Sequence, residues 1–317
     1  MSIHVNVDNF ARAETDHMFS DLQRDAGGVN TFLHNRVFEA IKGDKQTVIR
    51  LNRDTLYSFA VVDISEGATL LLPDAGDRYL SAMIVNEDHY VNEIYHEAKS
   101  YPLTKELFGT DYVFVAVRIL VDPNNPSDLE QVNKLQDQVR IEANAARSFE
   151  LPDYDNASYT ETRNALLDLA RGLSGYDKMF GSKAEVDQVR HLIGTAAGWG
   201  GLPSEEAYYV GADPRLPVGT YALTVRDVPV DAFWSISVYN AAGYFVENDA
   251  GVYNVNSVTG IRNEDGSITV RFGGDGTLPN TIPTPEGWNY LVRLYLPRPE
   301  ILDGTWTFPT LEDKSPR

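Results

Sequence analysis

The 317-residue chain contains no cysteine. That excludes disulfides, thiolate nucleophiles, iron–sulfur ligation and zinc fingers together. Any metal would have to use histidine, carboxylate or carbonyl ligands, and only six histidines are present. Basic residues are scarce beside acidic ones, 27 against 46, for a net charge of −19. Such a surface repels polyanions, so neither nucleic acid nor an anionic membrane is expected as a partner. No apolar run approaches the roughly 18 residues of a membrane span. The opening stretch MSIHVNVDNFARAETDHMF has neither a basic n-region nor an apolar h-region, so we expect no signal peptide and a cytoplasmic location. Familiar catalytic signatures are missing as well. The run from Gly172 to Gly175 has the wrong spacing for G-x-S-x-G, and there is no G-x-G-x-x-G after a strand, no P-loop lysine and no H-E-x-x-H. No cofactor is evident.

What is present is an ordinary globular composition, 43% hydrophobic and 23% charged, in a chain long enough for two domains with cores of their own. Asn9 is placed to cap a helix that runs to about Arg24 and stops at Gly27-Gly28. From Val48 the pattern turns to short runs rich in β-branched and aromatic residues: Leu56–Ile64, Thr69–Leu72, Tyr79–Val85 and Tyr112–Val121. Turn residues such as Glu66-Gly67, Pro73-Asp74 and Gly76-Asp77 separate them, as in an antiparallel β domain. Three Ser-x-x-Glu pairs follow, Ser127/Glu130, Ser158/Glu161 and Ser182/Glu185, each with capping-box spacing and each ahead of apolar residues at helical period. Strand-like runs return at Thr220–Val225, Phe233–Tyr239, Ser267–Phe272, Asn289–Leu296 and Thr305–Phe308. Ala242-Gly243 and Asp265-Gly266 give hairpin signals, and the proline-rich stretches 279–285 and 297–299 read as edge or loop. The expected organisation is a helical lead over 1–47, a β domain over 48–126, a helical segment over 127–198 and a jelly-roll-like β domain over 199–317. The fold class is mainly β, two β-sandwich or jelly-roll-like domains bridged by helices.

Several motifs, taken in order, resemble a bacterial two-domain family, domain of unknown function 1254 followed by domain of unknown function 1214. The first half carries Asn52-Arg53-Asp54-Thr55-Leu56-Tyr57-Ser58, Asp77-Arg78-Tyr79 and Val115–Arg118. The second carries Asp227-x-Pro229-Val230-Asp231-Ala232-Phe233-Trp234-Ser235, Val238-Tyr239, Gly287-Trp288-Asn289, Arg293-Leu294-Tyr295 and Asp303-Gly304-Thr305-Trp306. The resemblance implies a β-sandwich-like first domain, an interposed helical segment and a jelly-roll-like second domain. It implies no chemistry and no catalytic residue.

Three constellations are candidates for function. In Arg50–Ile64 a polar knot of Arg50, Asn52, Arg53, Asp54 and Thr55 runs directly into a strand. Charges beside a buried strand are costly unless paired, so Arg53 and Asp54 form either a structural ion pair or a site in which Arg53 is an anion clamp and Asp54 a base or metal ligand. The second is Glu87-Asp88-His89-Tyr90 with Glu93 and Tyr95-His96-Glu97. Neighbouring carboxylates would raise both histidines, and His89 and His96 are weak candidates for a metal, although seven residues of strand would put them on opposite faces. The third is a set of aromatics expected in β-sandwich cores, Trp199, Trp234, Tyr239, Trp288, Tyr295 and Trp306. Arg118 and Arg293 sit inside apolar strands among them, and each, if inward, needs a carboxylate or a ligand anion. His191 reads as a satisfied interfacial histidine.

The candidate ligand-binding set is therefore Asn52, Arg53, Asp54, Tyr57, His89, Arg118 and His191. The expected function is binding or processing of a small anionic or carbonyl-bearing molecule in a cleft between two β domains. The alternative is a non-catalytic β-sandwich module that forms homo-oligomer contacts. Substrate, reaction and oligomeric state are not readable from the chain.

Overall fold

A computed structural model of the protein describes residues 2–39, 41, 46, 49–173, 175–309 and 311–313. The chain divides into two compact units, one of Met1–Arg36, Leu56–Val121 and Pro126–Pro203, the other of Val37–Thr55, Asp122–Asn125 and Ser204–Arg317. Both are built on β-sheets, helices lie between the two β regions in sequence, and no sheet among the described residues closes into a barrel. No described helix is long and apolar enough to cross a membrane.

The first unit begins with helix α1 (Phe10–Ala26). It ends where the sequence says it should, at Gly27 with φ 84°, since a left-handed residue lets Gly27 and Gly28 return their N–H groups to the carbonyls of Arg24 and Gln23. Asn9 precedes the helix but does not cap it through its side chain; its oxygen accepts from the Asn6 N–H instead. The main sheet has the order β1 (Leu33–His34), β2 (Thr55–Asp63), β7 (Tyr112–Leu120), β4 (Leu80–Asn86), β5 (Val91–Tyr95). Every residue of β4 and nearly every residue of β7 is buried, so this sheet is covered on both faces. A smaller antiparallel sheet joins β6 (Ser100–Leu103), β3 (Ala68–Leu71) and β8 (Arg140–Ala143). Helices α1, α4 (Asn156–Ala170) and α5 (Gln188–Gly198) share a cluster of Val5, Phe10, Ala13, Leu166, Ile193 and Ala196.

The stretch 127–198 is more broken than its three serine signals predict. It holds α3 (Pro126–Gln136), the strand β8, then α4 and α5. The working caps of α4 and α5 are aspartates: Asp155 accepts from the Ser158 N–H, and Asp187 from the N–H groups of Val189 and Arg190. Ser158 sits three residues inside its helix. Ser182 and Glu185 make half of a capping box, Ser182 N–H donating to the Glu185 carboxylate at 2.8 Å, but they close a turn and not a helix. The spacing was the same; an acid one turn earlier or later took the cap.

The second unit is a two-sheet sandwich. One sheet runs β12 (Asn254–Asn256), β11 (Trp234–Tyr239), β15 (Asn289–Tyr295), β9 (Ala207–Ala212), and the other β14 (Thr281–Ile282), β13 (Ile268–Phe272), β10 (Tyr221–Val225), β16 (Glu312–Asp313). Alternation along the strands sends Trp234, Ile236, Val238, Val292 and Leu294 from one sheet to meet Leu223, Val270 and Phe272 from the other. The strand expected at Thr305–Phe308 does not form. Asp303 takes both the N–H and the hydroxyl of Thr305, a local turn that competes with sheet pairing.

Candidate functional site

Alternation that fills the sandwich core also decides what the reverse of the same sheet carries. Ser235, Ser237 and Tyr239 of β11 point away from the core, as do Leu291, Arg293 and Tyr295 of β15 and Asn254 and Asn256 of β12. Registers place Ser235 beside Arg293 and Asn256, and Ser237 beside Leu291 and Asn254. A row of polar side chains on a sheet face must be solvated or bonded, and here most of them are buried. Their partners are the 50–54 knot.

Asp54 is fully buried. Its two oxygens accept from Ser235 Oγ at 2.5 Å and Asn254 Nδ2 at 2.8 Å, and its N–H donates to Asn52 Oδ1 at 2.8 Å. Asn52 Nδ2 in turn reaches Thr55 Oγ1 and the Tyr295 hydroxyl. Arg293, 3% exposed, donates to the carbonyls of Arg50 and Leu51 at 2.7 and 3.2 Å, to Ser237 Oγ at 3.0 Å and to the Tyr239 hydroxyl at 2.9 Å. Burial works against its charge, yet the Tyr239 and Tyr295 hydroxyls and the Asp54 carboxylate raise its pKa above the ordinary arginine value. Two expectations are corrected. Asp54 does not pair with Arg53, because Ser235 and Asn254 already satisfy it. Arg293 needs no hydrogen-bonded carboxylate, because main-chain carbonyls of the segment it fastens supply the acceptors.

That leaves Arg50 and Arg53. Arg50 has φ 55°, an uncommon conformation for a side-chain-bearing residue, held by its N–H to the Gly243 carbonyl at 2.7 Å and by Arg293 on its own carbonyl. Its guanidinium lies 5.9 Å from the centre of the Tyr239 ring. Arg53 lies between two rings, 4.8 Å from Phe38 and 5.2 Å from Tyr253. Tyr239, Phe245 and Tyr253 form a continuous aromatic row, at 4.6 and 5.7 Å between ring centres, with one arginine at each end. Among the described residues neither guanidinium has a carboxylate within ion-pair distance. Arg50 Nη1 and Arg53 Nε are buried with no acceptor among the described residues. Burial holds the Arg53 guanidinium below its ordinary pKa, with the Tyr253 hydroxyl alone acting in the other direction.

The other expected residues lie in the first unit. Tyr57 and Arg118 come together, the guanidinium 5.3 Å from the ring centre, and Arg118 also donates to the Gly200 carbonyl at 3.3 Å. His89 and His191 stack at 5.4 Å. His89 is completely buried at the turn between β4 and β5, with φ 64°. Gly200 N–H donates to its Nε2 at 2.9 Å, which makes Nε2 the acceptor and leaves Nδ1–H to donate to Thr195 Oγ1 at 2.8 Å; Thr195 passes its own proton to the His191 carbonyl. The acid-rich sequence around His89 suggests a raised pKa. The reverse holds: burial, followed by His191, pushes it well below the ordinary histidine value. Glu87 and Asp88 turn instead to Arg12. Burial likewise lowers His191, against the carbonyls of Asp88 and Met179 that face its ring nitrogens at 3.2 and 3.1 Å. His96 Nδ1 faces the Leu80 carbonyl at 3.0 Å. No three histidine, aspartate or glutamate side chains among the described residues converge as a metal site.

Sequence reasoning singled out the knot but not what receives it: Ser235, Asn254, Phe38 and Tyr253. Serine and asparagine at alternate positions of β11 and β12 were the available signal, since such residues on one face of a core strand require a covering partner.

Comparison with known proteins bears on the fold and on membership. Over 97% of this chain and 99% of its own, the crystal structure of the VPA0106 protein from Vibrio parahaemolyticus is similar, with a TM-score of 0.73 at 16% identity. A putative uncharacterized protein from Burkholderia cenocepacia has a TM-score of 0.54 at 13% identity, over 96% of this chain and 86% of that one. At such identities the likeness shows the fold. No curated protein matches. Residues 29–101 match the family described as protein of unknown function DUF1254, and residues 215–299 the family described as protein of unknown function DUF1214. The chain thus matches both domain families, DUF1254 first and DUF1214 after it, in the order its motifs predict.

Proposed function

We propose that the second unit binds a small organic anion, a carboxylate on an apolar or aromatic body, through Arg50 and Arg53. The observation that carries the reading is Arg53: a half-buried guanidinium between Phe38 and Tyr253, with Nε lacking an acceptor. Cation–π contact offsets part of the desolvation of a guanidinium, but it leaves the N–H donors in the ring-edge direction unmet. A carboxylate supplies what is missing, since its two oxygens match the arginine fork. The half-buried rings of Phe38 and Tyr253 supply an apolar surface for the rest of such a molecule. Asp54 and Arg293 do not contact the ligand in this reading. They fasten the 50–54 segment to the sheet and so fix where the two guanidinium groups stand.

Calorimetric titration with benzoate, with benzyl alcohol as the uncharged control, tests it. Benzoate should bind better than benzyl alcohol, and Arg53→Gln should remove that preference while leaving the melting temperature within a few degrees. Native mass spectrometry of protein purified from its own host should show a retained small acid. Equal binding of benzoate and benzyl alcohol by the wild type would end the proposal.

A further inference from the structure

The first unit holds an open cleft of about 930 Å³ that none of the sequence signals indicated. Asp16, from the middle of α1, lines it, together with Arg12, Glu87, Tyr112, Phe149 and Tyr154. Asp16 is 3% exposed. Its Oδ2 accepts from the Tyr154 hydroxyl at 2.7 Å, and its Oδ1 is buried without a partner among the described residues. An acceptor left open in that way costs free energy unless something enters to meet it.

Charge bookkeeping in the cleft says what would enter. Arg12 is held by Glu87 at 3.0 Å and Asp88 at 2.6 Å. Lys105 is held by Asp111 at 2.5 Å, and Arg147 by Asp63 and Asp111. Each cation lining the cleft is thus engaged by a carboxylate, and none of those carboxylates is Asp16. The open valence is an acceptor on an acidic group, in a cleft that Tyr112 and Phe149 also line, the two rings meeting edge to face at 5.2 Å.

The geometry points to a second binding site in this cleft, for a small organic amine whose ammonium group donates to Asp16 Oδ1 while its apolar body lies against Tyr112 and Phe149. Arg147 already lies over Tyr112 at 5.8 Å, so the Phe149 ring is the one left to favour a further cation, and a buried carboxylate is a strong acceptor for one. Without a ligand the site holds its carboxyl in balance between two states. Burial raises Asp16 to about 7, Tyr154 opposing, with Glu87 and Asp88 adding repulsion and Arg12 attraction. An ammonium ion selects the ionised form, so amine binding displaces a proton from Asp16. The anion proposed for the second unit uses other residues, and the two readings stand or fall separately.

Titration of the full chain with benzylamine, against benzyl alcohol and benzoate, between pH 6 and pH 8 is the test. Wild type should prefer benzylamine, and its affinity should rise with pH as Asp16 ionises. Asp16→Asn should weaken benzylamine by about 10- to 100-fold, the range for a charge-assisted hydrogen bond, and leave benzyl alcohol unchanged. Should Asp16→Asn fail to fold, Tyr154→Phe keeps the carboxylate but removes the donor that opposes its protonation, and the midpoint of the pH dependence should then move upward. Equal affinity for benzylamine and benzyl alcohol overturns the proposal, and so does a pH profile that neither variant alters.

Discussion

Asp54→Ala removes the one carboxylate in the knot. Asp54 is 0% exposed and accepts from Ser235 Oγ at 2.5 Å and from Asn254 Nδ2 at 2.8 Å. Each bond has a charged acceptor, for which about 1.5–3 kcal/mol is usual. The alanine strands two buried donors and deprives Arg293 of an anion that helps hold its charge. Against this stands the desolvation of the carboxylate itself, which the substitution relieves. The net loss should be about 3–5 kcal/mol. In urea, with a slope of about 1–3 kcal/mol per molar, the midpoint should fall by about 1–5 M. Tryptophan fluorescence is the suitable probe, because Trp234, Trp288 and Trp306 all belong to the second unit. Asp54→Asn keeps an acceptor for Ser235 but turns an amide toward the Asn254 amide, so it should lose less than the alanine. A midpoint for Asp54→Ala within error of wild type would refute the reasoning: the 50–54 segment would then not be fastened by this carboxylate.

Three other outcomes are expected. Asp63 is fully buried; burial raises its pKa, but hydrogen bonds from Arg147 and Ser65 together bring it down to about 2. It therefore contributes stability that is complete above about pH 4 and is lost as pH falls through 2. After screening of the half-exposed Arg147 the contribution is about 1–2 kcal/mol, and Asp63→Asn should lower the urea midpoint at pH 7 more than at pH 2.5. Asp16 has the opposite sign: its folded value of about 7 lies above the ordinary 3.8, so its contribution is most favourable below pH 4 and is lost as pH rises through 7. Asp16→Asn should raise the melting temperature more at pH 8 than at pH 4.5, and an equal change at both would contradict the shift. Gly273 has φ 82°, and a Cβ there would lie 1.9 Å from the Gly219 carbonyl oxygen, so Gly273→Ala should cost about 2–4 kcal/mol in the same fluorescence-detected urea titration.

Much of the architecture was legible in the sequence because its signals are local. The strand run Leu56–Ile64 differs from the observed β2 by one residue at each end, and Asn289–Leu296 from β15 by one at its C-terminal end, since period-two burial is written into consecutive residues. Gly27 stops α1 because only its own backbone is involved. Helix starts were less legible, since Ser182 and Asp187 are equally good caps by chemistry and only packing chooses between them. The site was half legible. A dense polar run ahead of a buried strand marked 50–54 as unusual, but which charges pair is a matter of residues about 180–240 positions away, Ser235, Asn254 and Arg293. The acids beside His89 pointed to a raised pKa because sequence shows neighbours and not burial, and burial won. Asp16 was invisible for the same reason. Within α1 it is one acid among several, and only the fold buries it, sets Tyr154 on one oxygen and leaves the other open, because desolvation and hydrogen-bond geometry belong to the tertiary structure alone.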